Sequence, residues 1–292
     1  MEGEVVLISK RRSLKRFIRS CIVHFTLILF AILSLVFFFI LLIKATKNKT
    51  ELLKDFSMFP GTHALKNLRS VLNAGDIPLL YGILNSMIVA GGSAFVAVYS
   101  AIFAAYGLYM YHFRFRKLFF VLVMLFLVMP MQVCTLGFLR NISGMGLEDN
   151  LLALILPSLA SPAVVFFLYS YMKSVLPKSY IESARMDGAG EFRIFSRIVL
   201  PLMRPAMSVQ IIFSFVASWN NYFIPALVMS SRRKLTLPVM IAMMRNADFI
   251  KKDMGKTYMM ICISVFPVII VYMLLSRQIL EGVMQGTKWN QN

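Results

Sequence analysis

Histidine and cysteine, the residues that most often carry chemistry, are few and scattered in this sequence. They are His24, His63, His112, Cys21, Cys134 and Cys262, with each cysteine in or beside an apolar block. This spacing fits neither a zinc site nor a disulfide framework, and it offers no nucleophile–His–carboxylate set. The chain also lacks the G-x-x-x-x-G-K-[ST] phosphate loop. The sequence therefore predicts no catalytic centre, no metal site and no ATP hydrolysis by this chain.

Uncharged polar residues inside apolar blocks form a second set of candidates. In one block they are Gln210, Ser214, Ser218, Trp219, Asn220, Asn221 and Tyr222. Amides and an indole at one level suit a path for a neutral, hydroxyl-rich solute. Polar side chains in membrane helices also form hydrogen bonds between helices, and the same holds for Asn85 and Ser86. Both interpretations remain open for these residues.

The segment 176–204 has the pattern of a helix that ends in a sharp turn. Ser179, with Glu182 three residues later, has the spacing of a capping box. We therefore expect a short helix over 180–187. Gly188 can end this helix because glycine readily adopts the left-handed conformation.

A second short helix is expected after the turn, from about Glu191 to Leu200. Its apolar residues recur at helical spacing: Phe192, Phe195, Ile198 and Val199. Pro201 is expected to stop this helix. The two helices would form a rigid knob that fits a groove on a partner.

Composition identifies the setting of these residues. Hydrophobic residues make up 59% of the 292-residue chain and charged residues 15%, against about 45–50% and about 25% in soluble domains. This excludes an ordinary soluble enzyme, a disordered tail and a collagen-like fibre. The net charge of +18 comes from basic residues between long uncharged blocks, which is typical of membrane-protein loops rather than of nucleic-acid binding.

Six stretches without Asp, Glu, Lys or Arg are each long enough for the roughly 20 residues that a membrane helix needs. They are 20–43, 77–113, 118–139, 150–172, 205–231 and 257–276. A seventh apolar run, 235–244, suits a buried or interfacial segment. The predicted fold is all-α, with six transmembrane helices. Prolines are expected to kink or break them at Pro130, Pro157, Pro162, Pro225 and Pro267.

The basic residues before the first block predict its orientation. The block is too long for a signal peptide and no small-x-small cleavage site follows it, so it is expected to remain as a helix with a cytoplasmic N-terminus. Inside segments then hold 17 Lys and Arg, and outside segments 14. This bias is weak, and so many cations outside the membrane are an anomaly.

The six blocks contain no ionisable Asp, Glu, Lys or Arg. Ion-coupled carriers usually place such groups inside the membrane, and voltage sensors need arginine there. A transporter of this composition must therefore take its energy from outside the membrane, which favours a cytoplasmic motor.

The segment 176–204 resembles the EAA loop of ABC importer permeases. The family pattern is E-A-A, three residues, G, nine residues, I-x-L-P. Glu182, Ala184, Gly188 and the run Ile198-Val199-Leu200-Pro201 match it at every step. The one departure is Ser183 in place of the middle alanine. We name 176–204 the coupling loop.

Further segments resemble carbohydrate importers, and the maltose-type six-helix subunit most closely. They are 85–90 (N-[ST]-x-x-V-A), 185–195 (R-x-D-G-A-x-x-F-R-x-F), 218–223 (S-W-N-[DE]-F), 236–239 (T-L-P-V) and the 276–286 tail. The resemblance covers 80–292. It implies a type I ABC importer permease fold with a cytoplasmic N-terminus over 1–19. One transmembrane domain would follow over 20–292, with its core at 80–282, both chain termini cytoplasmic and the chain in the bacterial inner membrane.

The resemblance also implies partners. A second permease would complete the pathway, and a cytoplasmic ATPase dimer would bind ATP and Mg. A binding protein outside the membrane would deliver a carbohydrate such as an oligosaccharide. This chain would be a non-catalytic subunit that binds no cofactor itself, lies in the lipid bilayer and has no nucleic-acid partner.

The resemblance assigns roles to residues. Those expected at the ATPase contact are Glu182, Ser183, Ala184, Arg185, Asp187, Gly188, Ala189 and Phe192. Glu182 is expected to meet a basic residue of the ATPase, with capping of its own helix as the alternative. Pathway contacts are expected at Trp219, Asn220, Asn221 and Tyr222.

The external loop 231–256 corresponds to one that reaches into the binding protein in maltose-type importers. The expected contacts are Arg232, Arg233, Lys234, Thr236, Leu237 and Pro238. Its basic character is consistent with an acidic binding protein or an anionic glycan, because opposite charges steer association. Attraction to anionic lipid or cell-wall polymer, or no role, remains an equal alternative.

Two other functions compete with the importer subunit. A stand-alone channel or carrier for a small polar solute would not need the EAA spacing. A membrane-embedded enzyme would need catalytic residues that this sequence does not bring together.

Overall fold

A computed structural model describes residues 2–54, 57–73, 79–246 and 253–289, and every regular element in these ranges is helical. The helices are α1 (Glu2–Ala45), α2 (Lys49–Lys54), α3 (Ala64–Leu72), α4 (Leu79–Met110), α5 (Arg116–Val128), α6 (Met131–Gly144), α7 (Leu152–Ile155), α8 (Pro162–Val175), α9 (Lys178–Met186), α10 (Glu191–Ile194), α11 (Leu200–Trp219), α12 (Phe223–Val228), α13 (Leu237–Asn246) and α14 (Met254–Trp289). Turns of 3₁₀ helix cover Leu156–Ala160 and Arg232–Lys234, and a π-helical turn covers Phe195–Val199. The all-α prediction is confirmed for these ranges.

Four helical stretches among the described residues are long and apolar enough to cross a bilayer. They are Ile18–Ala45, Leu79–Met110, Glu191–Trp219 and Met254–Ser276. Two bent pairs pass the same test: Arg116–Val128 with Val133–Gly144 at 106°, and Leu152–Ala160 with Pro162–Val175 at 41°. By length and composition the described residues therefore hold four candidate spans, or up to six if each bent pair is one span.

Prolines mark both bends, as predicted. Pro130 has an extended backbone with φ −65° and ψ 124°, and α6 begins directly after it. Ser161 is extended before Pro162, the first residue of α8. Met129, the residue before Pro130, is extended as well, with φ −67° and ψ 127°. At Met129 and Ser161 the extended backbone follows from the clash between a proline ring and the residue before it, which disfavours helix there. Pro267, by contrast, lies inside α14.

Pro201 does not stop the second helix of the coupling loop, so that prediction is wrong. The helical run continues from Glu191 to Trp219, and its π-helical turn lies directly before the proline. In this turn the Leu200 N–H donates to the Phe195 carbonyl, five residues back. Proline interrupts a helix because it lacks an N–H and crowds a preceding carbonyl. The wider turn shifts the hydrogen-bond register just before Pro201 and lets the helix continue.

The described residues fall into two compact units, one within 1–71 and 249–262 and the other within 72–248 and 263–292. In the second unit α4 packs against α8 and α11. Ala97, Ala101 and Ala105, spaced four residues apart, form a buried ridge along α4, and small side chains of this kind let helices approach closely. The same core includes the buried residues Leu168, Met172, Met203 and Met207.

The apolar run 235–244 forms the buried helix α13, as expected from its length. Leu237, Met240 and Met244 are among the least exposed side chains of the chain. At Gly82 of α4, an added methyl group would lie 2.5 Å from the Met240 sulfur. Glycine at this position therefore leaves room for the Met240 side chain against α4.

The first unit builds a small polar framework after α1. Asn48 and Glu51 cap α2 reciprocally, since each side chain accepts the other residue's backbone N–H. The buried Asn67 amide donates to the carbonyls of Ala45, at 2.8 Å, and Lys47, at 3.0 Å. These bonds join α3 to the end of α1.

Replacing Asn67 tests this framework. We expect Asn67→Ala to destabilise the protein by about 1–3 kcal/mol, because two buried carbonyls lose their donor. The measurement is the thermal unfolding midpoint of the purified protein in detergent. Lys66→Ala, at the exposed neighbouring position, is the control, and equal midpoints for the two variants would contradict the prediction.

Candidate functional site

The first helix of the coupling loop begins earlier than the capping-box pattern predicts. Helix α9 starts at Lys178 after the extended Pro177, and no side chain caps it. Ser179 therefore lies inside the first turn and is not the N-cap, because the chain is already helical at Lys178. The alternative in which Glu182 only caps its own helix fails for the same reason. The Glu182 side chain is exposed.

Gly188 ends α9 in the left-handed conformation, as predicted, with φ +79°. The Gly188 N–H donates to the Arg185 carbonyl at 3.0 Å, and the Ala189 N–H donates to the Ala184 carbonyl at 2.9 Å. This pair of bonds is the Schellman motif, which satisfies the last carbonyls of a helix. A β-carbon at Gly188 would meet no atom within 4 Å. The glycine is therefore required by its backbone conformation and not by crowding within this chain.

We call residues 178–194, from α9 to α10, the knob. Its inner face is anchored to the core of the second unit by Ile181 and Ile194, both 0% exposed. The Tyr109 hydroxyl of α4 donates to the Leu176 carbonyl at 2.7 Å, just before the knob. The Lys178 ammonium lies 5.6 Å from the centre of the Tyr109 ring. These contacts fix the base of the knob to α4.

The outer face of the knob carries large apolar side chains. Met186 is 89% exposed and Phe192 is 82% exposed, on either side of the Gly188 turn. Glu182, Ser183 and Asp187 are also exposed, whereas Ala184 and Ala189 are partly buried against the core. Sequence analysis missed Met186. Its position five residues after the buried Ile181, on the opposite side of α9, was the available signal.

A charged network joins the knob to the end of α4, and sequence analysis missed its centre, Glu191. One oxygen of Glu191 accepts a bond from Arg185 Nε at 2.7 Å. The other accepts from the hydroxyls of Tyr111 at 2.7 Å and Tyr106 at 3.1 Å. The bond to Glu191 raises the pKa of the Arg185 guanidinium and also that of the Tyr111 hydroxyl. Arg185, predicted at the ATPase contact, is therefore paired within its own chain.

Of the four predicted pathway residues, two form contacts within the chain and two are exposed. α11 ends at Trp219, so they lie at a helix end and not inside a span over 205–231. Trp219 is buried, stacks on Phe215 and donates to the Ser264 carbonyl at 3.2 Å. Asn221 accepts the Ile224 N–H at the start of α12. Asn220 and Tyr222 remain exposed.

The opposite end of α4 holds the segment 231–237. The Asn85 amide donates to the carbonyls of Arg233, at 2.8 Å, and Leu235, at 3.1 Å. The Ser86 hydroxyl accepts the Leu237 N–H at 2.8 Å. Of the two interpretations open for Asn85 and Ser86, the structure therefore supports hydrogen bonding between segments.

Asp149 holds the same segment from a second side. Its carboxylate accepts the N–H groups of Ser230 and Ser231, both at 3.0 Å, and the Ser231 hydroxyl. Lys234 forms an ion pair with it at 3.1 Å and donates to its backbone carbonyl at 2.6 Å. These donors, with the Ser231 hydroxyl foremost, hold the pKa of the Asp149 carboxyl well below its usual range. Asp149 adopts φ +53°, a conformation that aspartate and asparagine tolerate better than most residues.

The residues predicted to contact a binding protein are placed differently from one another. Thr236 and Leu237 are buried and Pro238 is partly buried. Arg232, Arg233 and Lys234 are exposed, but Lys234 is paired with Asp149. Residues 247–252 of the predicted loop lie outside the described part of the chain. The two arginine side chains form no hydrogen bond or ion pair with the residues that the structure describes.

Among the residues that the structure describes, no group of three or more His, Cys, Asp or Glu side chains could hold a metal ion. What the geometry provides is an exposed knob at one end of α4 and a held loop at the other.

These features define an all-helical, multi-pass membrane protein that exposes the knob, two short helices joined by a glycine turn. The chain belongs to the family of binding-protein-dependent transport system inner membrane components, whose model matches residues 97–282. The family resemblance predicted from the coupling loop is confirmed.

Several curated relatives cover most of the chain. A Bacillus subtilis protein, the arabinooligosaccharides transport system permease AraQ, is 33% identical over 267 residues, 88% of this chain and 92% of its own. The Streptomyces coelicolor diacetylchitobiose uptake permease NgcG is 28% identical, covering 92% of this chain and 88% of its own. The Yersinia pestis sn-glycerol-3-phosphate transport permease UgpE is 28% identical, covering 97% and 100%.

A solved structure shares the fold. It is the crystal structure of a bacterial ABC transporter involved in the import of the acidic polysaccharide alginate, with a TM-score of 0.74. The match covers 89% of this chain and 96% of that one, at 19% identity. The importer permease fold predicted from the sequence is therefore confirmed.

Replacing Asp149 tests the carboxylate that holds the 231–237 segment. Asp149→Asn keeps the tolerance for positive φ but loses the charge, so we expect a loss of about 1–3 kcal/mol at pH 7. Because the folded pKa lies below the unfolded one, the stabilisation is fully present above about pH 4 and falls only at more acidic pH. Thermal unfolding at several pH values measures it. Glu148→Gln, at the exposed neighbouring position, should be neutral, and a difference that disappeared already at pH 6 would contradict the assignment.

Proposed function

We propose that this chain is a permease subunit of an ATP-driven ABC importer for a carbohydrate. It would form the translocation pathway with a second permease and couple to a cytoplasmic ATPase dimer through the knob. The carrying observation is the knob itself: an EAA-type segment whose inner face is anchored and whose outer face exposes Met186 and Phe192. Two such side chains beside a glycine turn suit a hydrophobic groove on a partner.

The proposed arrangement has six spans, with each bent helix pair crossing once and both termini cytoplasmic. Two observations support it. The bent pairs have the length and composition of spans, and the two loops that α4 holds lie at opposite ends of one span-length helix. The knob would then face the cytoplasm of a bacterial inner membrane, and the 231–237 segment would face outward.

ATP and Mg would be bound by the partner ATPase, and this chain would be non-catalytic. The sequence supports this division because it has no phosphate loop. On the outside, a solute-binding protein would dock against both permeases. In this arrangement Glu182 would meet a basic residue of the ATPase, because its carboxylate is exposed and caps no helix.

An oligosaccharide is the proposed solute. AraQ and NgcG are named for arabinooligosaccharides and diacetylchitobiose, and the structural neighbour for alginate. UgpE is named for sn-glycerol-3-phosphate, so the family also includes smaller solutes. In this chain Asn220 and Tyr222 are the exposed members of the predicted pathway set and would make the solute contacts.

Substitutions at Gly188 test docking. Asp and Asn are nearly equal in size and both tolerate positive φ, so Gly188→Asp and Gly188→Asn differ by one charge at the turn. We expect Gly188→Asp to reduce the ATPase that co-purifies with this chain by about 10-fold or more, because an unpaired charge would be buried in the contact. Gly188→Asn should retain much more. The measurement is a pull-down from detergent-solubilised native membrane.

Two results would count against this proposal in different ways. Equal loss of the ATPase in both variants would show that any side chain at the turn blocks docking and that charge is not the cause. If the wild-type chain purified without an ATPase in every detergent and salt tested, the importer function itself would fail. A stand-alone channel or carrier would then replace it.

The exposed arginines of the 231–237 segment suggest electrostatic steering of a partner or solute with negative charge. Arg232 and Arg233 are exposed at the 3₁₀ turn, whereas Lys234 is paired with Asp149. An acidic binding protein or an anionic glycan would be attracted to such a pair at low ionic strength. Anionic lipid or cell-wall polymer would be attracted in the same way without affecting uptake.

Neutralising these arginines separates the possibilities. The double substitution of Arg232 and Arg233 by Gln should slow uptake at low salt and flatten its salt dependence, because screening acts on exposed charges. Lys234→Gln is the matched comparison, which should act through the stability of the segment and not through salt dependence. Unchanged uptake and salt dependence in the double variant would show that steering is absent.

A further inference from the structure

Helix α4 is held at both ends by the two loops that matter for the proposed function. Near one end, Tyr106 and Tyr111 bond to Glu191 of the knob. Near the other, Asn85 and Ser86 hold the 231–237 segment. Residues 85 and 106 are 21 positions apart, which at 1.5 Å per residue is roughly 32 Å along the helix. That is about the thickness of a bilayer core.

We propose that Glu191 and Asn85 are positioning residues that fix the knob and the 231–237 segment to opposite ends of α4. A displacement of the knob would then reach the far loop through one helix. This inference rests on the proposed function, in which the knob docks on an ATPase. It adds a route by which the state of the ATPase changes the surface offered on the other side of the membrane.

The geometry at Glu191 suits this role. Its two oxygens are divided between the knob, through Arg185, and α4, through the two tyrosines. The carboxylate therefore links two segments that share no backbone hydrogen bonds among those described. Charge-assisted bonds of this kind are directional and roughly twice as strong as neutral ones. Removing the charge weakens every bond that Glu191 accepts.

The body of α4 can carry a displacement because it is continuous and packed. It is one helix from Leu79 to Met110, and its small-residue ridge is buried against the neighbouring helices. Coupling between distant sites travels through rigid elements and packed side chains of this kind. At the far end, the Asn85 amide donates twice to the segment, and neither acceptor is a side chain. A movement of α4 would therefore shift the loop backbone directly.

If Glu191 served only to stabilise the fold, its replacement would have different effects. The Glu191 side chain is 47% exposed and that of Arg185 is 37% exposed, and ion pairs this exposed contribute little to folding stability. If Glu191 served only folding, its removal would change thermal stability slightly and leave communication between the two ends intact. A positioning role predicts intact folding, intact ATPase binding and lost communication.

The test uses the complete complex that co-purifies with this chain from native membrane, placed in lipid nanodiscs. Amide hydrogen exchange of 229–237 is followed by mass spectrometry with and without ATP plus orthovanadate, which traps the ATPase. In the wild type we expect the trapped state to change exchange of this segment by about 5-fold or more. Glu191→Gln and Asn85→Ala should each retain the ATPase and reduce that change to within about 2-fold.

Two comparisons complete the experiment. Tyr111→Phe keeps the ring and removes one hydroxyl bond, so its loss should be partial, and it serves if Glu191→Gln yields too little protein. Glu148→Gln, an exposed charge change near Asp149, should behave as the wild type. Combining Glu191→Gln with Asn85→Ala should produce no further loss, because both act on one path.

Defined outcomes would overturn the inference. One is a wild-type-like exchange change in Glu191→Gln with the ATPase still bound. Another is loss of the ATPase from Glu191→Gln, which would make Glu191 part of the docking surface instead. A wild-type complex that responds to trapping elsewhere but not at 229–237 would also overturn it. A wild-type chain that brings down no ATPase would contradict the proposed function and not the link through α4.

Discussion

The packing of α4 against α8 and α11 sets the position of the knob. Because Ala97, Ala101 and Ala105 are small and buried, the neighbouring helices approach α4 closely along one face. The hydroxyls of Tyr106 and Tyr109 then reach Glu191 and the Leu176 carbonyl, at the base of the knob. A bulkier ridge would separate the helices and move the base of the knob away from those bonds. The placement of the coupling loop is thus a consequence of small side chains inside the membrane domain.

In the proposed function the knob must both fold on this chain and dock on another. Apolar side chains as exposed as Met186 and Phe192 gain nothing from the fold of this chain, and docking on the ATPase would bury them. The Schellman turn at Gly188 holds them on a short, rigid projection without using their surface. Anchoring comes instead from Ile181 and Ile194 on the inner face. One face is therefore optimised for this chain and the other remains available, which is what a docking element requires.

The features that sequence analysis predicted depend on local rules, and those it missed depend on distant pairs. The end of α9 at Gly188 follows from one residue's conformational freedom, and the breaks at Pro130 and Pro162 follow from ring sterics. The predicted helix end at Pro201 was wrong because a π-helical turn precedes this proline, and no rule for single residues predicts such a turn. Glu191 pairs with Tyr106 across 85 positions and Asn85 with Arg233 across 148. No single sequence shows such pairs, so Glu191 was overlooked and Asn85 was left between two roles.

Contacts between distant residues also affect the cations that the count of Lys and Arg places outside the membrane. In the proposed orientation these cations include Lys44, Lys47 and Lys234. Each is engaged within the chain: Lys44 lies over the Tyr258 ring, Lys47 donates to the Ser57 carbonyl, and Lys234 pairs with Asp149. A lysine held in this way contributes to the structure of its loop, and its charge is partly balanced where it lies. The count of Lys and Arg per loop therefore overstates the charge available to a partner. At the 231–237 segment Arg232 and Arg233 are the exposed, unpaired cations among the described residues, and the segment that carries them is held by Asp149, Lys234 and the far end of α4.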